Sequence, residues 1–317
     1  AYESYRSVQE FKRHNNTIDE EILGILNQSN LEVMDENSNK DAKVVSTQRD
    51  LIAGEVSKDF ARRLIMPADI VQAHDTAAIH FHDMDYIVQP MFNCCLVNLE
   101  DMLTNGTVIN GKKIDTPKSF QVACTVTTQI IAQVASGQYG GQSINGVDRI
   151  LAPFARKSFN KYFDAVVEEQ KVVYGIEPDL EKAEEIAWKR TRKEIKDGIQ
   201  TIQYQINTLM TTNGQAPFVT LFMHFEPGFE YEREAAYIQE EILRQRIEGI
   251  KNDKDVYVTP AFPKLIYVLD EHNVHPDSQY YYLTELAAEC TAKRMYPDYI
   301  SAKLMRQYYE GNVFSPM

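Results

Sequence analysis

His80-Phe81-His82-Asp83 sets two imidazoles two residues apart. On a strand, side chains at that spacing project from one face, so the pair can bind one metal ion or polarise one substrate. The same spacing also fits one buried, hydrogen-bonding histidine beside a surface one. A closed zinc site needs two further ligands, for which His14, His74, His224, His272, His275 and scattered carboxylates or cysteines are the stock. Cys94 and Cys95 are adjacent within Phe92 to Leu99, a run of strand composition and length. Neighbours on a strand face opposite ways and cannot easily pair, so one sulfur can face a site while the other faces the core. The ordinary fate of a strand cysteine is burial as a small apolar side chain, and Cys124 and Cys290, on helical stripes, are read that way.

Two further groups have chemistry available. Thr211 to Phe218 joins a helix to a strand through hydroxyl, amide and glycine groups, the composition of many ligand loops at strand ends, though Asn213-Gly214 also fits a plain helix stop and turn. Lys112, Lys113 and Lys118 lie before or inside a helix start, and Arg156, Lys157 and Lys161 follow along the next helix. Phosphate is attracted to lysines near a helix amino terminus, but a solvated helix face uses the same residues.

The elements that must position these groups follow from periodicity. Apolar spacing predicts helices over 17–27 and from Ser46 to about Ile65, the latter with Leu51, Ile52, Val56 and Phe60 inward, and a third opened by Pro67. From Ile79 to Leu99 the character is strand-like. Asn105-Gly106 and Asn110-Gly111 mark turns of a hairpin carrying Val108 and Ile109. Thr116-Pro117 reads as cap and first turn of a helix whose Phe120, Cys124, Thr127, Ile131 and Val134 share a face, followed by a flexible connection from Gln138 to Ser143. Long helices are expected over 147–170 and from Pro178 to about Leu209, strands at Pro217–Phe222 and Lys264–Leu269, and helices around 230–250 and from Thr284 to Arg294. Alternating strands and long helices give an α/β class. The reading is of a single domain over 1–317, mainly helical over 1–78.

With 44% hydrophobic residues, 317 residues can bury a substantial core. The 33 basic against 46 acidic residues, a net charge of −13, argue against nucleic-acid or anionic-membrane binding through bulk charge. No run reaches the roughly 18 apolar residues of a membrane helix, and the start has no apolar signal core, so a cytoplasmic location is expected. The four cysteines lack paired zinc spacing or the density of a disulfide scaffold and are expected as thiols. A first residue Ala1 and a last segment Glu310 to Met317 without a polar tail suggest a fragment.

Several runs together resemble the anaerobic, glycyl-radical (class III) ribonucleotide reductases. They are Asn37-Ser38-Asn39-Lys40-Asp41, Thr47-Gln48-Arg49-Asp50-Leu51, His80-x-His82-Asp83-x-Asp85-Tyr86, Asn93-Cys94-x-Leu96, Gln129 to Ser136, Tyr139-Gly140-Gly141, Asn213-Gly214-Gln215-x-Pro217-Phe218 and Lys293 to Asp298. The resemblance implies the first part of a ten-stranded α/β barrel with long surrounding helices, 79–317 forming a barrel half with dimer and effector helices. In the family pattern the segment like Phe314-Ser315-Pro316-Met317 continues into Gly-Cys-Arg, whose cysteine becomes a thiyl radical. That cysteine, the radical glycine, the carboxy-terminal zinc module and the amino-terminal ATP-binding regulatory domain are not in this sequence, so the fragment is expected to be inactive alone and to hold no cofactor of its own. Full-length members use a glycyl radical made by an iron-sulfur, S-adenosylmethionine activase.

The mechanism implied by the resemblance starts with removal of the 3′ hydrogen of a ribonucleoside triphosphate and loss of the 2′ hydroxyl as water. Cys94 then donates hydrogen from the other face, with Cys95 as packing. His80, and after it His82, are the implied hydrogen-bonding or proton-transfer groups, with no metal. Asn213 and Gln215 are candidate substrate contacts. Asp115, Lys118, Gln129 and Lys161 are candidate contacts for a deoxynucleotide or ATP effector at a homodimer interface. Two other readings compete: a metal-dependent hydrolase using His80 and His82 at a barrel strand end, and a non-catalytic nucleotide-binding dimerisation module.

Overall fold

The computed structural model describes residues 18–29, 41–211, 214 and 216–315. The chain forms two compact units, one of Ala1–Asn93, Ser136–Tyr139 and Met210–Ala216, the other of Cys94–Ala135, Gly140–Leu209 and Pro217–Met317.

The first unit is helical: α1 (Ile18–Leu26), α2 (Val45–Phe60) running into one π-turn (Ala61–Ile65), α3 (Ala68–Asp75) after Pro67, and a short 3-10 turn (Met84–Tyr86). Ala61, Met66 and Met84 make a small core with Ile70, Val71, Phe81, Ile87 and Val88 around it. The apolar face expected of α2 is not its buried one. Val56 and Phe60 are exposed, whereas Thr47 is fully buried and its hydroxyl donates to the Gly214 carbonyl at 2.8 Å. Periodicity identifies an apolar stripe but not what packs on it.

The strand expected from Ile79 is also absent. Ala77 and Asp83 have positive φ (57° and 54°), and the Phe81 amide donates to His74 Nδ1 at 3.1 Å, so the segment turns back on the end of α3. Left-handed residues break the pleat that would have put His80 and His82 on one strand face. Pairing begins only with an isolated bridge from Phe92 to Gln138 within this unit.

The second unit starts with β1 (Cys95–Val97), α4 (Leu99–Thr104) and the hairpin β2 (Thr107–Ile109) and β3 (Lys112–Ile114). Asn110 and Gly111 both have positive φ (48° and 71°), as a two-residue hairpin turn requires. Then follow α5 (Phe120–Ala135), β4 (Gln142–Asn145), α6 (Val147–Val172), α7 (Leu180–Thr208), β5 (Val219–Met223), α8 (Glu232–Glu248), the short ribbon β6 (Ile250–Lys251) and β7 (Tyr257–Val258), β8 (Lys264–Leu269), α9 (Glu271–Val274), α10 (Tyr281–Arg294), β9 (Asp298–Ser301) and α11 (Ala302–Tyr308). No helix of the described residues is long and apolar enough to cross a membrane.

Five strands form one parallel sheet in the order β1-β4-β5-β8-β9. Val97, Ile144, Leu221 and Leu265 lie level across four of them and point into the main core, against the buried faces of α5 to α8 and α10. On the opposite face Phe222, Ile266 and Val268 pack with Ala302 of α11. β5 and β8 are therefore covered on both faces along most of their length, which explains why they read as nearly continuous apolar runs.

Two boundaries differ from the sequence reading. Gln138 to Ser143 was expected as a flexible connection, yet Gln142 and Ser143 are buried and open β4, inside the sheet. Four residues of mixed polarity carry little strand pattern, and the ladder on both sides holds them instead. Thr116 does not cap α5: its hydroxyl donates to the Thr104 carbonyl, and Ser119 Oγ accepts from the Val122 amide three residues on, the capping position. The expected face of α5 is present, with Phe120, Cys124, Thr127 and Ile131 buried and Val134 packed beside them.

Candidate active site

Cys94 immediately precedes β1 and is exposed. Its Sγ accepts from the Gly141 amide at 3.3 Å, and the Cys95 amide donates to the Gly141 carbonyl at 3.1 Å, so both cysteines are tied to the turn before β4. Cys95 shares the side of Val97 and packs against the main core, whereas Cys94 has the parity of Leu96 and faces the other way. Burial, and then the neighbouring Cys94, push the Cys95 thiol up. Cys94 lines a pocket of about 240 Å³ with Gly141, Gln142, Ser143, Phe218, Thr220, Phe262 and Lys264. It lies where β4, β5 and β8 begin, and Phe218 and Phe262 meet edge to face in its wall at 4.7 Å. A thiol, two hydroxyls and an ammonium in one concavity suit a ligand with hydrogen-bonding and anionic groups.

His80 and His82 belong to the first unit, and both are exposed. Their rings are 5.6 Å apart, and His74 lies 5.5 Å from His80. The half-buried, hydrogen-bonding histidine of this cluster is His74, through the Phe81 amide. His82 Nε2 is 3.4 Å from Asp83 Oδ1, while Asp83 Oδ2 accepts from the Tyr139 hydroxyl at 2.8 Å and Tyr139 stacks on Tyr86 at 3.9 Å. No third ligand joins His80 and His82 in a metal-sized group among the described residues. The hydrolase reading thus has no ligand set.

Asn213 and Gln215 lie outside the described residues. Between them, Gly214 has φ of 73° and its amide donates to the Thr211 carbonyl at 3.0 Å. Asp115, Lys118, Gln129 and Lys161 are all exposed, after β3, before α5, on α5 and on α6 respectively. Asp115 lies 3.9 Å from Lys113, and no hydrogen bond or ion pair among the described residues links any of the four to another.

Sequence reasoning did not find Ser143, Thr220 and Lys264 in the Cys94 pocket. The signal available was a lysine opening the apolar run Lys264-Leu265-Ile266-Tyr267-Val268-Leu269. It also missed a cluster at the opposite strand ends. His224 follows β5 and Asp270 follows β8; His224 Nε2 is 3.0 Å from Asp270 Oδ2, and Arg306 of α11 donates to both Asp270 oxygens at 2.9 and 2.7 Å and to Glu226 at 2.5 Å. Burial pushes the Asp270 carboxyl up, but hydrogen bonds from His224 and Arg306 outweigh it and hold the group well below the usual carboxylate range. His224, Glu226 and Asp270 could by spacing hold a cation. The guanidinium already occupies those carboxylates, so the cluster is an internal ion network.

A parallel sheet with long helices packed on one face is a fold shared with anaerobic ribonucleotide reductases of known structure. One such structure covers 92% of this chain and 46% of its own at 12% identity, with a TM-score of 0.57. The Thermotoga maritima enzyme with dATP bound in the specificity site covers 95% and 50% at 12% identity, with a TM-score of 0.56. Residues 36–317 match the anaerobic ribonucleoside-triphosphate reductase family, and this chain belongs to it. The Escherichia coli anaerobic ribonucleoside-triphosphate reductase is 45% identical over 305 residues, which are 95% of this chain and 40% of that enzyme. Its counterpart from Enterobacteria phage T4 is 41% identical over 289 residues, 90% of this chain and 45% of that protein. The chain therefore spans about two fifths of the length of these relatives.

Proposed function

We propose that this chain supplies the reducing-thiol side of an enzyme that converts ribonucleoside triphosphates to 2′-deoxyribonucleoside triphosphates by thiyl and glycyl radical chemistry. The observation that carries the reading is Cys94, exposed in a pocket that also presents the Ser143 and Thr220 hydroxyls and the Lys264 ammonium, in a chain of this family. An S–H bond can give up a hydrogen atom without a charged intermediate. Cys94 is the donor that follows loss of the 2′ hydroxyl as water, and its sulfur must afterwards be reduced again. His80 and His82 are the proton-transfer groups, a role imidazole fills near neutral pH. Asn213 and Gln215 are substrate contacts, and Asp115, Lys118, Gln129 and Lys161 contact a deoxynucleotide or ATP effector in a homodimer.

On this reading the sheet is the first part of a ten-stranded barrel within one catalytic domain of a cytoplasmic enzyme, served by a separate radical-generating activase. The family's four-cysteine zinc module does not fit the cysteines present. Cys124 and Cys290 are fully buried in the main core, so no chemistry is assigned to a metal here. The 317 residues contain no Gly-Cys-Arg run and are expected to show no turnover by themselves.

Cys94→Ser in the full-length enzyme tests the reading. Turnover should be lost with ribonucleoside triphosphate binding retained, because the stronger O–H bond of serine does not give up a hydrogen atom as an S–H bond does. Undiminished deoxynucleotide formation by this variant would remove Cys94 from the chemistry.

A further inference from the structure

Ser143, Thr220 and Lys264 are register partners on β4, β5 and β8. Adjacent strands lie about 4.8 Å apart, so the three side chains make a polar row about 10 Å across. All three line the Cys94 pocket. Two residues further along β5 and β8 this sheet face is apolar, at Phe222 and Ile266. Among the described residues no hydrogen bond or ion pair engages the Ser143 hydroxyl, the Thr220 hydroxyl or the Lys264 ammonium, although Ser143 is only 5% exposed.

Charge points the same way. The chain carries a net charge of −13, yet Lys264 is the one charged group among the described residues that line the pocket. A cation in a concave site with low-dielectric walls selects an anion. The volume of about 240 Å³ is below the roughly 300–1,000 Å³ of a complete small-molecule site, so the pocket encloses part of a nucleotide. A sugar and its first phosphate suit that volume and the row of two hydroxyls and an ammonium.

We propose that Lys264 is the phosphate-binding residue of the Cys94 pocket. Its ammonium holds the phosphate nearest the ribose, and the Thr220 and Ser143 hydroxyls bond to oxygens between that phosphate and the carbon facing Cys94. This assignment rests on the reading of the pocket as the ribonucleotide site and specifies how substrate is oriented there.

The test uses the full-length enzyme, with a ribonucleoside triphosphate, its monophosphate and its nucleoside titrated calorimetrically against wild type, Lys264→Gln and Lys264→Arg, alongside kcat and KM. Lys264 is exposed, so both variants should keep the parent's thermal transition. Loss of a charge-assisted hydrogen bond should weaken both phosphorylated ligands about tenfold or more in Lys264→Gln, with nucleoside binding unchanged. KM should rise with kcat little altered, and Lys264→Arg should recover most of the affinity. The proposal fails if Lys264→Gln binds triphosphate like wild type, or loses nucleoside affinity to the same degree. Cys94→Ser separates the two claims. An inactive Cys94→Ser beside an unaffected Lys264→Gln rejects the phosphate role alone, while an active Cys94→Ser rejects the pocket as the reaction site and this assignment with it.

Discussion

Cys94 and Cys95 have the same side chain and adjacent positions, and their surroundings give them opposite properties. Cys94 opens onto the pocket, and Cys95 turns inward against the core, where burial raises its thiol. Burial also lifts Cys290 to about 11 and Cys124 well above the ordinary thiol range. Since thiolate is the reactive form, a native protein treated briefly with iodoacetamide near pH 8 should be alkylated first at Cys94. Cys124 and Cys290 should react only after denaturation. Peptide mass spectrometry reads the order, and early labelling of Cys95 would contradict the orientation described. Strand parity made the opposite facing of the two sulfurs legible in advance. That His74, and not His80 or His82, is the histidine held by a backbone amide was not legible, because the positive φ at Ala77 and Asp83 folds the segment back.

The helices were easier to read than the short strands, and α5 with α7 shows why. Their stripes of Phe120, Cys124, Thr127 and Ile131, and of Ile195, Ile199, Ile202 and Ile206, repeat over several turns and are buried, while Val134 and Leu209 at the stripe ends are half-buried. Their meeting point is Gly198, where an added Cβ would come within 2.7 Å of the Phe120 ring and 2.8 Å of Cys124 Sγ. Gly198→Ala should gain about 1 kcal/mol in helix propensity. The clash in a filled core typically costs about 1–3 kcal/mol, and two tight contacts place this site toward the upper end. A net loss of roughly 1 kcal/mol is expected, visible as a lower urea midpoint; a raised midpoint would mean that the helices can separate without penalty. By contrast β4 has four residues, no apolar alternation and a preceding glycine pair, so its strand identity comes from the ladders to β1 and β5.

At the scale of the whole chain, the sheet holds different chemistry at its two ends: the Cys94 pocket where strands begin, and the His224, Asp270 and Arg306 network where β5 and β8 finish. The network ties α11 to both strands. Because its folded pKa is depressed, Asp270 stabilises the protein fully above the unfolded value of about 3.9, and that contribution is lost as pH falls through the lower folded value. Asp270→Asn should therefore cost about 2 kcal/mol at pH 7, since it weakens bonds from a charged partner and leaves Arg306 with less compensation. The gap from wild type should narrow below about pH 4. Urea unfolding at pH 7 and pH 3 measures both values, and a gap independent of pH would exclude this carboxylate as the acid-sensitive group.

The amino-acid sequence by itself determined the α/β class, the long helices, the two apolar central strands and the family, because side-chain periodicity and short motifs are local properties carried over many residues. The tertiary structure alone decided which residues share the pocket with Cys94. Ser143, Thr220 and Lys264 are 77 and 44 residues apart in the chain and become neighbours only through strand register, which is set by pairing between distant segments.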